Sequence, residues 1–543
     1  MSESLVSWQS KARSRELRAR VSHTHARARV AWTAVVPLTL ALAACLAPPS
    51  RGSGDVGNGS GGAGVASGTA SGGAGASAFR SGGSSGGLGS GGASATGGRT
   101  SPGGGSGGGG PASGGRSGSG GGAASTGSGG GPGSGGLSAS GGAPPPPPSR
   151  GPTPATATAK FPFPQNREQS RCIYPTAYRN EDVQAAYDQW KANTITTDGA
   201  KVGNNQYRRV KRTKEPGLEL GSTVSEGIGY GMLIAVYMND QSLFDDLWRY
   251  EQGWLDSNGL MNWYIDAAGT MTLGSGAATD ADDDMAFALL MADRQWGGMG
   301  ALSKPYLQLA KDQIGRIWGL EVFDYRHLKP GDSWGDGSTI NVSYFAPYYY
   351  RQFAKVDTAN TSNWNTLLEQ SYTTLAASLN TSNGNQDNGL VPAWCDTNGN
   401  PNGGVFQGAL TNYQYDSCRT PFRIGMDWCL FGETRAKDYV SKTSAFFNQV
   451  GVASMVDGYD LNGNPRPQFQ TGAQASMQSA AFVGPAGVGA MAMPSGTYQS
   501  FLDQAYAAVA TDQLLVGGVY YDSSWTVLSL LMMTGNFIDL TVF

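Results

Sequence analysis

The stretch Ala278-Thr279-Asp280-Ala281-Asp282-Asp283-Asp284-Met285-Ala286-Phe287-Ala288-Leu289-Leu290-Met291-Ala292-Asp293-Arg294-Gln295-Trp296 decides how the chain is read. Four carboxylates within five residues open an apolar run with helical spacing. A helix N-terminus carries about half a positive charge and suits one or two acids there. Four repel one another, so some of them need a further use. Asp280 stands where an N-cap acceptor is expected; Asp282, Asp283 and Asp284 read as first-turn acids, in part structural. A second acid, Glu226, opens a similar apolar run in Ser225-Glu226-Gly227-Ile228-Gly229-Tyr230-Gly231-Met232.

Working outward, apolar residues recur at helical spacing over residues 182–190, 229–238, 285–292, 306–317, 364–379 and 498–510. Long turns rich in Gly, Asn, Asp and Pro separate such segments, among them Asp396 to Gly404 and Asp460 to Pro465. Alternating strands are scarce. The pattern of helix, long loop and helix suits an all-α toroid whose loops build a groove at one end.

The chain divides by composition into a targeting segment (1–45), a tether (46–159) and one large folded domain (160–543). From about residue 50 to 159 it is almost entirely Gly, Ser, Ala, Thr and Pro. Such a segment cannot bury enough apolar surface to offset chain entropy, and reads as disordered. As a Gly-rich coil of about 110 residues it would span roughly 55–60 Å. Ahead of it, a basic stretch and a short apolar run end in Leu42-Ala43-Ala44-Cys45. Small residues after a short apolar run mark a cleaved secretory signal rather than a spanning helix. The ending resembles a bacterial lipoprotein signal, with Cys45 as the lipidated residue; a plain secretory signal is the rival. Either way the chain is exported, as a cell-surface or outer-membrane lipoprotein or as a secreted protein.

Residues 1–159 hold 12 of the 38 basic and 3 of the 41 acidic side chains, so residues 160–543 carry a formal −12. That balance disfavours nucleic acid and acidic polysaccharides as partners, tolerates neutral glycans and attracts cationic ones. Cys172, Cys395, Cys418 and Cys429 allow three pairings if all four pair, and buried free thiols are as consistent with the sequence.

Elimination narrows the chemistry. His327 is the one histidine after residue 25, which excludes a multi-histidine zinc site. There is no Gly-x-Ser-x-Gly elbow and no phosphate-binding Gly-rich loop after a strand. The Asp-x-Asn-x-Asn runs at 396 and 460 lack a Glu at the twelfth position of a calcium loop and read as turns. Carboxylates and aromatics remain. Cleaving a glycosidic bond requires a protonated acid for the leaving oxygen and, with inversion, a second carboxylate to activate water. Aromatic faces then stack on sugar rings.

At this point the sequence resembles glycoside hydrolase family 8. Ala278 to Trp296 is similar to the family signature. So are Ser225 to Met232, Phe244 to Tyr250, Gly259 to Trp263, Leu328 to Trp334, Tyr344 to Pro347, Gly389 to Cys395 and Tyr415-Asp416-x-x-Arg419, in the same order. The resemblance implies an (α/α)6 barrel and an inverting endo-β-1,4-glucanase acting without cofactor or metal. It implies Glu226 as general acid and Asp416 as base, with Tyr415 helping to hold the attacking water. Asp280 would contact the distorted central sugar and couple to Glu226. Trp263, Trp334, Tyr520 and Tyr521 would form stacking subsites, while Arg419 and Arg423 would orient carboxylates or sugars or serve as buried ion-pair partners. The Ala-Thr-Asp-Ala-Asp wording and Asp416 resemble the cellulase-like branch, which points to cellulose or a related β-glucan; a monomer is expected. The alternatives are a chitosanase or mixed-linkage β-glucanase of the same family, or a non-catalytic glycan binder.

Overall fold

The computed structural model describes residues 158–213, 218–335, 338–403, 411–467, 478–511 and 520–542. The signal segment, Cys45 and nearly all of the tether lie outside the described residues. Twelve α-helices occur among those described: α1 (Asn180–Thr194), α2 (Ser225–Tyr237), α3 (Gln241–Glu251), α4 (Thr279–Gln295), α5 (Tyr306–Leu320), α6 (Pro347–Val356), α7 (Thr361–Ala377), α8 (Thr420–Leu430), α9 (Thr434–Val450), α10 (Ala480–Ala490), α11 (Ser495–Ala510) and α12 (Tyr520–Met533).

Their packing closes a ring. The even-numbered helices touch in the cyclic order α2, α4, α6, α8, α10, α12 and back to α2. The odd-numbered helices pack outside them: α3 on α2, α5 on α4, α7 on α6, α9 on α8 and α10, α11 on α10 and α12, and α1 on α12. This is the (α/α)6 barrel that the resemblance implies.

Sequence chemistry explains which helix takes which layer. Outer helices such as α5 and α9 bury one stripe, although α3 is buried over nearly its whole surface: α5 buries Tyr306, Leu309, Ala310, Gln313, Ile314 and Ile317, and α9 buries Ala436, Tyr439, Val440, Thr443, Ser444 and Phe447. Both sets follow the i, i+3, i+4, i+7 spacing of an amphipathic helix. The inner helices are buried over most of their surface, and completely so in α10, where every residue from Ala480 to Ala490 is buried. Glycines let these helices approach closely: a Cβ added at Gly484 would lie 2.4 Å from Ser529 Oγ of α12. The inner ring is also rich in stacked aromatics, such as Phe287 of α4 on Tyr349 of α6 at 3.9 Å between ring centroids.

Nine short strands among the described residues serve the loops. β1 (Ile195–Thr196) pairs with β4 (Arg209–Val210), and between them lies the hairpin of β2 (Lys201–Val202) and β3 (Asn205–Gln206). β5 (Thr223–Val224), β6 (Tyr264–Ile265) and β7 (Thr272–Gly274) form an antiparallel sheet; β8 (Val322–Phe323) pairs with β9 (His327–Leu328). One disulfide joins Cys172, ahead of α1, to Cys429 near the end of α8, while Cys395 and Cys418 are free and buried. The two Asn-rich runs are turns: Asp396 Oδ1 accepts from the backbone N–H groups of Asn398 and Asn400, and Asp460 Oδ1 accepts from that of Asn464.

Candidate active site

Three inner helices begin at one place. Glu226 lies in the first turn of α2, Asp280 in the first turn of α4, and Arg419 is the residue before α8. The sheet fixes the approach to Glu226. Val224 pairs with Tyr264, and the Ser225 N–H donates to the Trp263 carbonyl at 3.0 Å, tying the acid to its neighbouring tryptophan.

Arg419 joins these ends. Its Nη1 donates to Glu226 Oε2 at 2.7 Å, to Asp280 Oδ2 and to the Tyr230 hydroxyl at 2.9 Å; Nε donates to Ser343 Oγ at 3.1 Å. Its Nη2 lies 3.8 Å from Asp416 Oδ1. The guanidinium also lies over the Tyr344 ring. Arg419 has no exposed surface, so among its candidate roles the geometry selects the buried partner that orients carboxylates, not a sugar contact. Above this buried layer, the side chains of Glu226 and Asp416 are 20% and 26% exposed. Reaching one planar guanidinium bounds their near oxygens to about 9 Å or less, compatible with two carboxyls flanking a glycosidic bond and its water.

The expected N-cap role of Asp280 is corrected. Ala278 is the N-cap residue of α4 and no side chain caps the helix. Asp280 instead points its carboxylate to Arg419, where a full counter-charge outweighs a helix-end dipole. The other three acids separate. Asp282 accepts from Gln313 at 2.7 Å, Asp283 from the Tyr350 hydroxyl at 3.3 Å, and Asp284 takes a bidentate pair from Arg423, both bonds 2.9 Å. Arg423 is thus a buried ion-pair partner, one helical turn beyond Arg419.

The electrostatics suit a proton donor at Glu226. Burial pushes its carboxyl up to about 7; Arg419 opposes the rise, Asp280 and Asp416 add to it, and a hydrogen bond from Tyr520 opposes it. One-fifth of the side chain meets solvent, yet packed atoms enclose it densely enough for burial to lead. Asp416 is also raised, first by burial and opposed first by Arg419. A raised carboxylate is the stronger proton acceptor when ionised.

Aromatics frame the acids. The Tyr520 hydroxyl donates to Glu226 Oε1, and the Tyr521 hydroxyl donates to the Tyr415 carbonyl at 2.9 Å. The Tyr415 hydroxyl donates to Asp457 at 3.2 Å. Trp263 and Trp334 are half-buried, and each rests on glycine. A Cβ at Gly274 would lie 2.2 Å from Trp263 Cε2, and one at Gly331 would lie 2.3 Å from Trp334 Cε2. The Trp334 indole N–H donates to the Ala277 carbonyl at 2.8 Å, just ahead of the four acids.

Several contributors were not singled out from sequence. Gln414 clasps Asp416 twice, donating to its carboxylate at 3.1 Å and accepting from its backbone N–H at 2.9 Å. Trp394 donates a side-chain hydrogen bond to Asp416. Tyr230, Ser343 and Tyr344 surround Arg419. Tyr230, Tyr344 and Trp394 lie inside motifs already quoted for the resemblance, which was the available signal; Gln414 gave none.

The family model for glycosyl hydrolases family 8 matches residues 163–535. The chain belongs to that family. It is a glycoside hydrolase, and the ring of helices with acids at one end is this family's barrel. The family 8 chain is 37% identical over 362 residues to Endoglucanase A of Acetivibrio thermocellus, covering 65% of this chain and 69% of that protein. It is 29% identical to the Beta-glucanase of Niallia circulans, covering 69% of this chain and 90% of that protein. Among solved structures, the apo structure of a β-1,3-1,4-glucanase from Paenibacillus sp. X4 superposes with a TM-score of 0.60 at 29% identity, covering 69% of this chain and 98% of that one.

Proposed function

We propose that this family 8 enzyme hydrolyses β-1,4-glucosidic bonds within cellulose or a related β-glucan, with inversion. Glu226 gives its proton to the leaving oxygen, and Asp416 activates the water on the opposite face. The observation that carries this reading is that both acids reach one buried guanidinium, with Glu226 lifted to about 7. A donor poised near neutral pH is what general acid catalysis needs. Asp280 is buried and shares the Arg419 guanidinium with Glu226, which supports its coupling to the acid. Trp263 and Trp334 offer ring faces for stacking. Endoglucanase A of Acetivibrio thermocellus and Endoglucanase C of Ruminiclostridium cellulolyticum, 37% and 36% identical, favour β-1,4-glucan. The Niallia and Paenibacillus relatives keep mixed-linkage β-glucan within the substrate class.

The test is the anomer first released from a soluble cello-oligosaccharide, followed by proton NMR. The α-anomer should appear first, and Glu226→Gln and Asp416→Asn should each lower the rate by about 10²–10⁴. Release of the β-anomer, or near-full activity in Asp416→Asn, overturns the assignment.

The same proposal places the enzyme outside the cytoplasm as a monomer, held by lipid at Cys45. The Leu42-Ala43-Ala44-Cys45 sequence supports it. The Cys172–Cys429 pairing agrees, since disulfides persist in oxidising compartments. Membrane-bound wild type and soluble Cys45→Ser is the expected fractionation; equal partition of the two refutes it.

A further inference from the structure

Both the loop that follows α7 and the last turns of α9 lie at the rim where the inner helices begin. The chain runs from the end of α7 through residues 378–419 directly into Arg419 and α8. Between that loop and α9 lies a concavity of about 400 Å³ that shares no residue with the acid cleft. Its lining includes Thr381, Gln386, Asp387, Asn388, Phe446 and Gln449.

The site is built rather than incidental. Asn388 is held at both ends, donating to the Leu461 carbonyl at 2.9 Å and accepting from the Leu390 N–H at 2.9 Å. Gly384 has a φ of +77°, a conformation glycine adopts without a Cβ penalty, and a Cβ there would strike Asn462 Oδ1 at 1.9 Å. Gly463 abuts the Phe446 ring, which also packs edge-on against Tyr459 at 5.4 Å. Within this fixed frame, the side chains of Thr381, Gln386, Asp387 and Gln449 make no hydrogen bond to any described residue, and all four are exposed.

The chemistry of the lining selects the ligand class. Two amides and a hydroxyl offer both donors and acceptors, one carboxylate offers acceptors, and a half-buried ring offers an apolar face. Sugar hydroxyls both donate and accept, and a pyranose presents a C–H face to such a ring. Among the described residues no cation lines the concavity; the nearby Lys442 ammonium is bound to the Gln386 carbonyl, which disfavours phosphate and other anions. A single carboxylate does not make a metal site. The volume falls in the range that holds a small ligand.

We propose that this concavity is a second saccharide site, taking a short run of neutral β-glucan outside the cleft; the identity of the glucan rests on the function proposed above. It is coupled by structure to the base loop. Phe446 packs on Tyr459, whose N–H donates to the Tyr413 carbonyl at 2.9 Å, and Tyr413 is three residues before Asp416. A polymer held there is kept beside the groove between successive cuts.

The experiment is calorimetric titration of cellopentaose into the full chain carrying Glu226→Gln. Two binding events are expected. Adding Asp387→Ala with Gln449→Ala should weaken the second event about tenfold, the loss of two hydrogen bonds of ordinary net strength, and leave the first unchanged. Ala445→Trp, which fills the concavity from an exposed helix position, should remove the second event while all polar groups remain. With Glu226 intact, both sets of substitutions should preserve cellopentaose cleavage and slow attack on insoluble cellulose. A single event in the parent, or a second event indifferent to both sets, overturns the site. Binding of glucosamine oligomers there without cellopentaose overturns its assignment to neutral glucan. If neither event occurs and the unsubstituted enzyme cleaves no β-glucan, the proposed function has failed instead.

Discussion

Tyr520→Phe removes one oxygen from the active site and leaves a ring of nearly the same shape. The lost hydroxyl is the one that donates to Glu226 Oε1, a bond that favours the ionised carboxylate and holds the pKa down. Hydrogen bonds to charged groups contribute about 1.5–3 kcal/mol. Only the excess over the bond made to the neutral carboxyl moves the pKa, and taking about half the total gives roughly one unit at 1.36 kcal/mol per unit. Glu226 should therefore rise from about 7 to roughly 8. At pH 8 the protonated fraction grows from about one-tenth to about one-half, so activity relative to each enzyme's own maximum rises about fivefold. The assay is the pH dependence of kcat/KM on cellohexaose, which reports the free enzyme's acid and base. The basic limb should move to higher pH whatever happens to the absolute rate. A limb that stays in place or moves down would refute both the bond and the assignment of Glu226 as the acid.

Trp263→Ala and Trp334→Ala should each raise KM on cello-oligosaccharides about fivefold, the equivalent of about 1 kcal/mol of ring contact, with a smaller change in kcat. Gly274→Ala should mimic Trp263→Ala because its Cβ would occupy the ring's position; an unchanged KM would show that the ring is not a sugar platform. Opening the disulfide by Cys172→Ser should lower stability by about 2–5 kcal/mol, since it closes a loop with a sequence separation of 257, and thiol reductant should match that loss in wild type. Denaturation midpoints check this, and a reductant-insensitive wild type would refute it. Burial pushes Glu251 and Glu321 up to about 8 in the folded chain. Their folded values exceed the unfolded value of about 4.3, so their stabilising contribution is complete below about pH 4 and is lost as pH rises toward 8. Urea midpoints should fall across that window, and Glu251→Gln should flatten the fall; an unchanged slope would refute the neutral buried state.

The sequence was most legible where an element keeps one wet face. The periodic segments at 182–190, 306–317 and 498–510 all fall within outer helices α1, α5 and α11. Inner helices were harder. Ala480 to Ala490 carries three glycines and Pro485 and is buried on every side, so no stripe betrays a helix. Its helicity is set by neighbours on both sides of the ring rather than by its own pattern. Likewise, four clustered aspartates signalled an unusual helix start without revealing their different destinations. Two of those are Arg419 and Arg423, 139 residues away along the chain, and the other two are Gln313 and Tyr350. Glu226 and Asp416 were singled out through motif resemblance. Gln414, which holds Asp416 from both sides, lies on a turn whose geometry no local pattern announces.

The guanidinium that the three acids share beneath the cleft has a consequence for adaptation. Glu226, Asp280 and Asp416 share Arg419 as their common cationic neighbour, so full ionisation would leave the centre with two surplus negative charges. A hydrogen ion retained between turnovers relieves part of that surplus, and so the chemistry begins with its reagent already aboard. Adding a lysine nearby to strengthen the fold would relieve the surplus by another route. Such a protein could fold well and grip its polymer, yet arrive at the scissile bond with nothing to donate. Shifting this catalyst along the pH scale is therefore a matter of how many charges the centre holds, more than of which residue serves as the acid.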